Sequence, residues 1–264
     1  MSNTVVKDFL DKMPAALALV RAHEYNILSK YDYPAPVADI GCGDGFFSSY
    51  LFKNKNQIID IGVDLNPKQA EKARNSGFYR EVLTTNASDI NLPDCYFQTI
   101  FSNCVFEHIP NLVEVFMEIR RILKPGGQYI FTAHSNYYLD YLFTVKYLRK
   151  LGLKPLANVY GNFVNHVFKH FNCLTPEEWE NKLNKAGLEL TYYEYYLGPS
   201  ALSAFDRLLP FAVPGYFWYK LLQKYTIMPR GFTQIVFHKY LSNLVEKKEP
   251  TGGALLLLAK RKDD

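Results

Sequence analysis

Between Val37 and His134 the sequence alternates short apolar runs with amphipathic segments, and this alternation constrains the fold more than any other feature. The runs with strand character are VADI, IIDIGVD, EVLTTN, YFQTIFSNC and QYIFTAH. Helical periodicity marks the intervening FFSSYLFK, PKQAEKARNSG and NLVEVFMEIRRILKPGG, the last of which we expect to stop at its Pro-Gly-Gly. Repeated strand–helix–strand units build a parallel sheet with helices on both faces. The sequence therefore predicts a doubly wound α/β domain.

Segments on either side of this alternation extend the prediction. Residues 1–34 carry a helical apolar pattern that is broken at Pro14, and we expect a helical N-terminal segment there. The main domain would cover residues 35–264, with LELTYYEYY and GALLLLAKRK as further strands and TPEEWENKLNKAG as a helix that begins with a capping box. Two insertions, at about 135–172 and 197–251, are predicted to form a helical and aromatic cap.

Three glycines, Gly41, Gly43 and Gly45, follow the first strand at alternating positions in VADIGCGDGFFSSYL. In a doubly wound sheet this first turn is the usual ligand contact, and glycine lets the main chain lie directly against a ligand. The GxGxG spacing differs from GxGxxG and from a P-loop, so a pyrophosphate or triphosphate cradle is less favoured. An ordinary tight turn is the alternative interpretation.

Asp64 closes the second strand in IIDIGVDLNP. A carboxylate at this place can accept hydrogen bonds from both hydroxyls of a ribose, whereas it would repel a phosphate. The glycine loop and this acid together predict a nucleoside site.

Several motifs occur in the order in which one enzyme family has them. They are DIGCGDG (39–45), Asp64, ASDINLP (87–93), NCVFEHIPN (103–111) and LKPGG (123–127). In these features the chain resembles the class I methyltransferases that use S-adenosylmethionine. The resemblance implies a seven-stranded Rossmann-like sheet with strand seven antiparallel, and a methyltransferase activity.

The resemblance also implies the cofactor, S-adenosylmethionine with S-adenosylhomocysteine as product, and its contacts. The implied cofactor-binding residues are Asp39, Gly41, Gly43, Asp64, Leu65, Ser88, Asp89 and Asn103. Those of the glycine loop would surround the methionine end, and Asp64 would take the ribose. Ser88 and Asp89 would lie beside the adenine, and Asn103 would offer its backbone near the cofactor's amino group.

A base is the catalytic group to look for, because the sulfonium leaves as a neutral thioether and needs no general acid, whereas a hydroxyl acceptor must lose a proton. His134 ends the fifth strand, on the acceptor side, and imidazole titrates near neutrality. We take it as the first candidate, with a structural histidine as the alternative. His170 is a second candidate, and Tyr137 would either orient an acceptor or simply pack.

No catalytic metal is predicted. Ubiquinone-type O-methyltransferases of the resembling family carry an ExxEH pattern that can hold a divalent metal. Here Cys104 takes the first position and leaves only Glu107 and His108. His166 and His170 would share one helical face if their segment is helical, but no nearby acid supplies a third ligand.

The insertions are aromatic and basic. Residues 191–240 contain 14 aromatic residues, and Tyr141–Pro176 contains basic residues but no Asp or Glu. Four interpretations compete. The insertions could form a lid over a hydrophobic acceptor that carries an anionic group, rest on an anionic membrane, or bind RNA. Their aromatic residues could also simply form the core of a subdomain. We favour the lid, because the net charge is only +4 and PGYFWYKLL resembles an interfacial wedge more than a nucleic-acid stripe.

These observations predict an S-adenosylmethionine-dependent enzyme that methylates an oxygen of a hydrophobic, anionic or lipid-like small molecule. The alternatives are an RNA methyltransferase, although we do not expect a nucleic-acid partner, and a cofactor-binding protein without turnover whose cap binds a partner. The apolar runs are shorter than a spanning helix, and MSNTVVKDFLDK lacks the apolar run of a signal peptide. We expect a cytoplasmic protein, with peripheral membrane contact left open.

Overall fold

Seven strands form a single sheet in this computed structural model, which describes residues 2–222 and 230–262 and the side chains of 4–212 and 236–262. The strands are β1 (Val37–Ile40), β2 (Ile59–Asp64), β3 (Tyr79–Thr84), β4 (Phe97–Asn103), β5 (Leu123–His134), β6 (Leu188–Tyr196) and β7 (Ala254–Arg261). Their order is β3-β2-β1-β4-β5-β7-β6. The first five are parallel and β7 is antiparallel, so the predicted Rossmann-like sheet is confirmed.

Helices precede, separate and follow the strands along the chain. They are α1 (Ser2–Leu10), α2 (Ala15–Leu28), α3 (Phe46–Lys53), α4 (Pro67–Asn75), α5 (Leu112–Ile122), α6 (Phe143–Lys150), α7 (Lys154–Phe168), α8 (Pro176–Lys185), α9 (Pro199–Leu222) and α10 (Arg230–Glu246), with a 3-10 turn at Phe106–His108. The chain divides into two compact units. The sheet unit contains Ser29–His134, His170–Glu194 and the chain from Leu255 onward, and the helical unit contains the rest.

The sheet order places the glycine loop at a topological switch point. β1 lies between β2 and β4. From β1 the chain first adds β2 and β3 on one side of β1, and it then crosses over to add β4 and β5 on the other side. All four residues of β1 are buried. Ligands of such sheets bind in the crevice at the carboxyl ends of the strands on either side of this point.

Local sequence signals set most helix ends. Asn66 caps α4 by accepting from two backbone amides, and Pro67 occupies the first turn, as predicted. Thr175 and Glu178 form the predicted capping box of α8. Helix α5 ends earlier than expected, at Ile122, because the chain continues directly into β5, whose first residue, Leu123, pairs with Phe97 of β4.

The helical unit is held together around a buried carboxylate. Asp206 of α9 accepts from the backbone amide of Thr144 in α6 at 2.7 Å and from the hydroxyl of Tyr160 in α7. Within the same unit α1 packs against α10, and α2 packs against α9. PGYFWYKLL, the predicted wedge, is the last part of α9, and its side chains lie outside the described residues. Among the helices described, none is long and apolar enough to cross a membrane.

Candidate cofactor and acceptor site

The backbone of the glycine loop is bonded within the protein. Gly41 and Cys42 both donate their amides to the carbonyl of Val63, at 2.7 and 3.0 Å, which extends the pairing of β1 with β2. Gly45 donates to the carbonyl of Cys42 at 3.0 Å. The shape of the loop is therefore set by the protein itself, and it is preorganised for a ligand.

Two of the loop glycines are needed for different reasons. A Cβ on Gly41 would lie 2.4 Å from Cγ2 of Val105, and this glycine has a φ of +76°. A Cβ on Gly43 would meet nothing within 4 Å, although its φ of +56° also favours glycine. Gly41 thus allows the loop to approach the chain that follows β4, while the space beside Gly43 is open.

Asp64 connects the loop that follows β1 with the loop that follows β2. One carboxylate oxygen accepts from the amide of Gly43 at 2.8 Å, and the other accepts from the amide of Asn66 at 2.8 Å. A carboxylate offers about four lone-pair sites, so each oxygen keeps capacity for another donor. The side chain also faces a cavity, where hydroxyl groups of a ligand can reach it.

A cavity of about 450 Å³ lies at the ends of the central strands. Its lining residues are Gly41, Val63, Asp64, Leu65, Thr85, Asn86, Ala87, Cys104, Val105, His108, Ile109 and Pro110. Most of these side chains are apolar, and Asp64 is the carboxylate among them. Such a lining fits a nucleoside whose polar edge lies on Asp64 and whose apolar ring lies against the rest of the wall. The residues present therefore suit S-adenosylmethionine.

The part of the cavity wall that follows β3 is formed by other residues than Ser88 and Asp89. Thr85, Asn86 and Ala87, directly after β3, line the cavity, whereas Ser88 and Asp89 are outside that lining. They instead shape the turn, where Asp89 donates its amide to the carbonyl of Asn86 at 3.0 Å. These three lining residues could have been identified from the sequence by their position directly after the predicted strand.

Asp39 is buried and also lies outside the cavity lining. Its carboxylate accepts from the hydroxyl of Tyr79 at 2.7 Å. Burial raises the pKa of Asp39 to about 6, and the charge of Asp64 adds to this rise, although hydrogen bonds from Ser48 and Tyr79 act against it. At neutral pH this buried carboxyl group is therefore still mostly ionised, and the hydrogen bond from Tyr79 stabilises its charge.

Asn103, the remaining candidate for the cofactor side, ends β4. Its side-chain oxygen accepts from the hydroxyl of Thr132 at 2.7 Å. The same hydroxyl accepts from the amide of Cys104 at 3.0 Å. Thr132 thus fixes the chain where it leaves β4 toward the cavity.

Three histidines meet beside the cavity, and we call His108, His134 and His170 the histidine cluster. The ring centroids of His134 and His170 are 4.3 Å apart, with one ring edge-on to the other, and the ring centroids of His108 and His170 are 5.3 Å apart. Nδ1 of His134 lies 3.7 Å from a carboxylate oxygen of the fully buried Glu107, and the His134 side chain is 12% exposed. Because His108 also lines the cavity, the cluster adjoins the candidate cofactor site.

Asn172 and its neighbour hold the turn that carries Glu107 and His108. The side-chain amide of Asn172 donates to the carbonyls of Phe106 and Ile109, at 3.0 and 2.7 Å. The amide of Phe171 donates to the carbonyl of Glu107 at 2.7 Å. These bonds bring the segment after α7 against the end of β4, which sequence patterns did not predict.

His166 and His170 do not share a helical face. Helix α7 ends at Phe168, and Lys169 follows in the left-handed conformation with a φ of 56°. His166 is exposed, while His170 turns into the sheet unit. Burial, with the nearby His108, lowers the pKa of His170 to about 4, so this ring is neutral at physiological pH.

Among the described residues, two overlapping sets of side chains each bring three possible ligand atoms within 4.8 Å of one another: His134, His170 and Cys173, and Cys104, Glu107 and His134. They come from distant parts of the chain, so spacing in the sequence did not reveal them. Burial, together with the nearby Glu107, raises the pKa of Cys173 to about 12, and cysteine binds metals as the thiolate. The expected absence of a catalytic metal therefore stays a prediction.

Tyr137 belongs to the helical unit. Its ring stacks on that of Tyr141 at 5.4 Å and lies tilted against that of Tyr195 at 5.7 Å. Its backbone amide donates to the hydroxyl of Ser135 at 3.1 Å. Within its own unit Tyr137 is thus part of an aromatic group, and its role toward an acceptor stays a prediction.

Comparisons with known proteins agree with this geometry. Residues 38–131 match the family model described as a methyltransferase domain. A malonyl-[acyl-carrier protein] O-methyltransferase of Calditerrivibrio nitroreducens is 29% identical over 154 residues, which are 57% of this chain and 57% of that protein. A fatty-acid O-methyltransferase of Mycolicibacterium smegmatis is 30% identical over 99 residues, 36% of each chain. The chain thus matches about half of the length of such relatives, or less.

Among solved structures, one similar fold is that of a S-adenosylmethionine-dependent methyltransferase from Thermotoga maritima, described as a possible histamine N-methyltransferase. The TM-score is 0.57 at 19% identity, and the match covers 94% of this chain and 91% of that chain. At this identity the likeness shows the shared fold.

Proposed function

We propose that this chain, whose residues 38–131 match a methyltransferase domain, is a class I methyltransferase that transfers a methyl group from S-adenosylmethionine to an oxygen of an apolar acceptor. The observation that carries the proposal is the histidine cluster, which adjoins the candidate cofactor cavity through His108. Both curated relatives named above are O-methyltransferases, and one of them acts on fatty acids. These relatives support oxygen as the acceptor atom.

Asp64, Gly41 and the apolar lining would hold the cofactor. S-adenosylmethionine supplies, when bound, an electrophilic methyl group on a sulfonium that leaves as a neutral thioether. The carboxylate of Asp64 would accept from the ribose hydroxyls, while its hydrogen bond from Gly43 keeps the loop in place. Leu65 is largely exposed at the cavity and would cover an apolar ring.

His134 would move the acceptor's proton. Nδ1 of His134 lies 3.7 Å from the carboxylate of Glu107, and we assign to Nε2 the role of taking the proton of an acceptor hydroxyl. The carboxylate of Glu107 would stabilise the imidazolium that results, because the pair is shielded from water. For a carboxylate acceptor, which needs no base, the same ring would orient an acceptor oxygen by a hydrogen bond. His170, neutral beside it, would complete the wall of the acceptor site.

A methyl-transfer assay tests this proposal. The purified chain would be incubated with S-adenosylmethionine that carries a labelled methyl group and, in separate reactions, with a long-chain fatty acid, a lipid-tailed phenol and total RNA. We expect label in a methyl ester or methyl ether of an apolar acceptor. Saturable binding of S-adenosylhomocysteine without transfer to any acceptor, or transfer to RNA alone, would contradict the proposal.

A further inference from the structure

Helix α7 carries two apolar faces. One is buried in the helical unit and contains Ala157, Gly161 and Val164. The other is exposed and contains Leu156, Val159, Phe163 and Val167. Spacings of three and four residues place these four side chains on one side of the helix. Val159 is 64% exposed and Phe163 is 59% exposed, so this stripe faces outward.

The turn between α6 and α7 continues the stripe. Leu151 and Leu153 are both exposed in this turn. We define the hairpin face as Leu151, Leu153, Leu156, Val159, Phe163 and Val167. A contiguous exposed apolar face of this kind on a helical hairpin indicates an interaction surface, whereas single exposed apolar residues do not.

The charges along the hairpin are mostly positive, and its one arginine, Arg149, pairs with Asp140 at 2.5 Å, just before the segment. From Tyr141 to Pro176 the sequence has four lysines and one arginine and neither Asp nor Glu. Lys146, Lys150 and Lys154 are exposed, and the last two flank the turn that carries the two leucines. An apolar stripe with lysines at its border matches the boundary between acyl chains and anionic headgroups.

We propose that the hairpin face docks the protein on an anionic lipid surface, with the leucines of the turn and the stripe of α7 among the acyl chains. The lysines would then contact the phosphates of the headgroups. A second copy fits less well, because a two-fold contact would bring the same cationic borders together. The proposal goes beyond methyl transfer, and it concerns a different segment of the chain from PGYFWYKLL.

Vesicle flotation tests the proposal on the full chain. The vesicles would contain phosphatidylcholine alone or phosphatidylcholine with phosphatidylglycerol. We expect binding to the second kind, weakened by salt, because exposed charges are screened. The double variant Val159→Ser/Phe163→Ser should lose at least about tenfold in binding, because both side chains lose apolar area. Lys150→Glu/Lys154→Glu should lose binding to the anionic vesicles as well.

Ile58→Ser/Met117→Ser is the matched control. Ile58 and Met117 are each 52% exposed in the sheet unit, so their change should leave flotation as it is. Unchanged circular dichroism and S-adenosylhomocysteine binding would show that each variant is folded, and a failed methyl-transfer assay would leave this result standing. Flotation of the serine variant like that of the unchanged chain would overturn the proposal. So would a dimer, detected by light scattering, that the same variant dissociates.

Discussion

The glycine loop and the histidine cluster lie at the same edge of one sheet but are fixed by different forces. In the glycine loop, backbone amides bind to Val63 and Asp64 at 2.7 to 3.0 Å, so hydrogen bonds along two adjacent strands set the geometry. In the histidine cluster, rings contact one another at 4.3 and 5.3 Å beside a buried carboxylate. The loop is therefore suited to hold a ligand still, and the cluster is suited to exchange a proton.

The largest effect is expected in the histidine cluster. His134→Ala should lower kcat for a hydroxyl acceptor by about 10²- to 10⁴-fold, the usual contribution of a positioned base. The affinity for S-adenosylhomocysteine should change little, because His134 is outside the cavity lining. His166→Ala, at an exposed histidine, is the control and should leave kcat unchanged. Equal kcat values for the two variants would show that His134 is not the catalytic base.

The glycine loop should respond in stability. Gly41→Ala should cost about 2 to 5 kcal/mol in the free energy of unfolding, from a left-handed backbone and a Cβ overlapping Val105. Gly43→Ala should cost only the backbone part, about 1 to 2 kcal/mol, because its Cβ has room. Denaturant unfolding measures both. Val105→Ala should recover part of the loss at Gly41 and none at Gly43, and equal costs at the two glycines would be inconsistent with the structure.

The buried acid under the loop predicts a pH dependence. Because the pKa of Asp39 is about 6 when folded against an ordinary 3.8, the folded chain binds more protons between these values. The contribution of Asp39 to stability should therefore fall as the pH rises from about 4 to about 6, by an energy on the order of 3 kcal/mol, whereas the lowered pKa of His170 gives a contribution of the opposite sign. Relative to the unchanged chain, Asp39→Asn should remove only this falling contribution, whereas Asp32→Asn, at an exposed acid, should leave the pH dependence as it is. An identical slope in both variants would contradict the burial of this charge.

The smallest effect is expected from metal removal. Although His134, His170 and Cys173 can approach one ion, the raised pKa of Cys173 keeps its thiol protonated at neutral pH. Dialysis against a chelator should leave the methyl-transfer rate unchanged, and added zinc should not increase it. A rate that falls with the chelator and returns with one metal would make the cluster a metal site.

The same contrast explains what the sequence could predict. The sheet, the glycine loop and Asp64 follow from patterns within a few residues, because alternating glycines and an acid at a strand end are local signals. The histidine cluster joins positions 108, 134 and 170 by ring contacts, and Asn172 holds the turn that carries His108. No local pattern in the sequence records such contacts. The end of α7 before His170 was also not predictable from the sequence, because Lys169 ends the helix in a left-handed conformation that glycine usually marks.

Calorimetric titration of Asp64→Ala with S-adenosylhomocysteine tests the central claim, that Asp64 both holds the glycine loop and binds the ribose. Hydrogen bonds to a charged group contribute about 1.5 to 3 kcal/mol, so we expect binding at least about tenfold weaker than in the unchanged chain. Asp32→Ala, which changes an exposed acid, should bind as before. If the folded Asp64→Ala protein binds as tightly as the unchanged chain, the cofactor site described here is wrong.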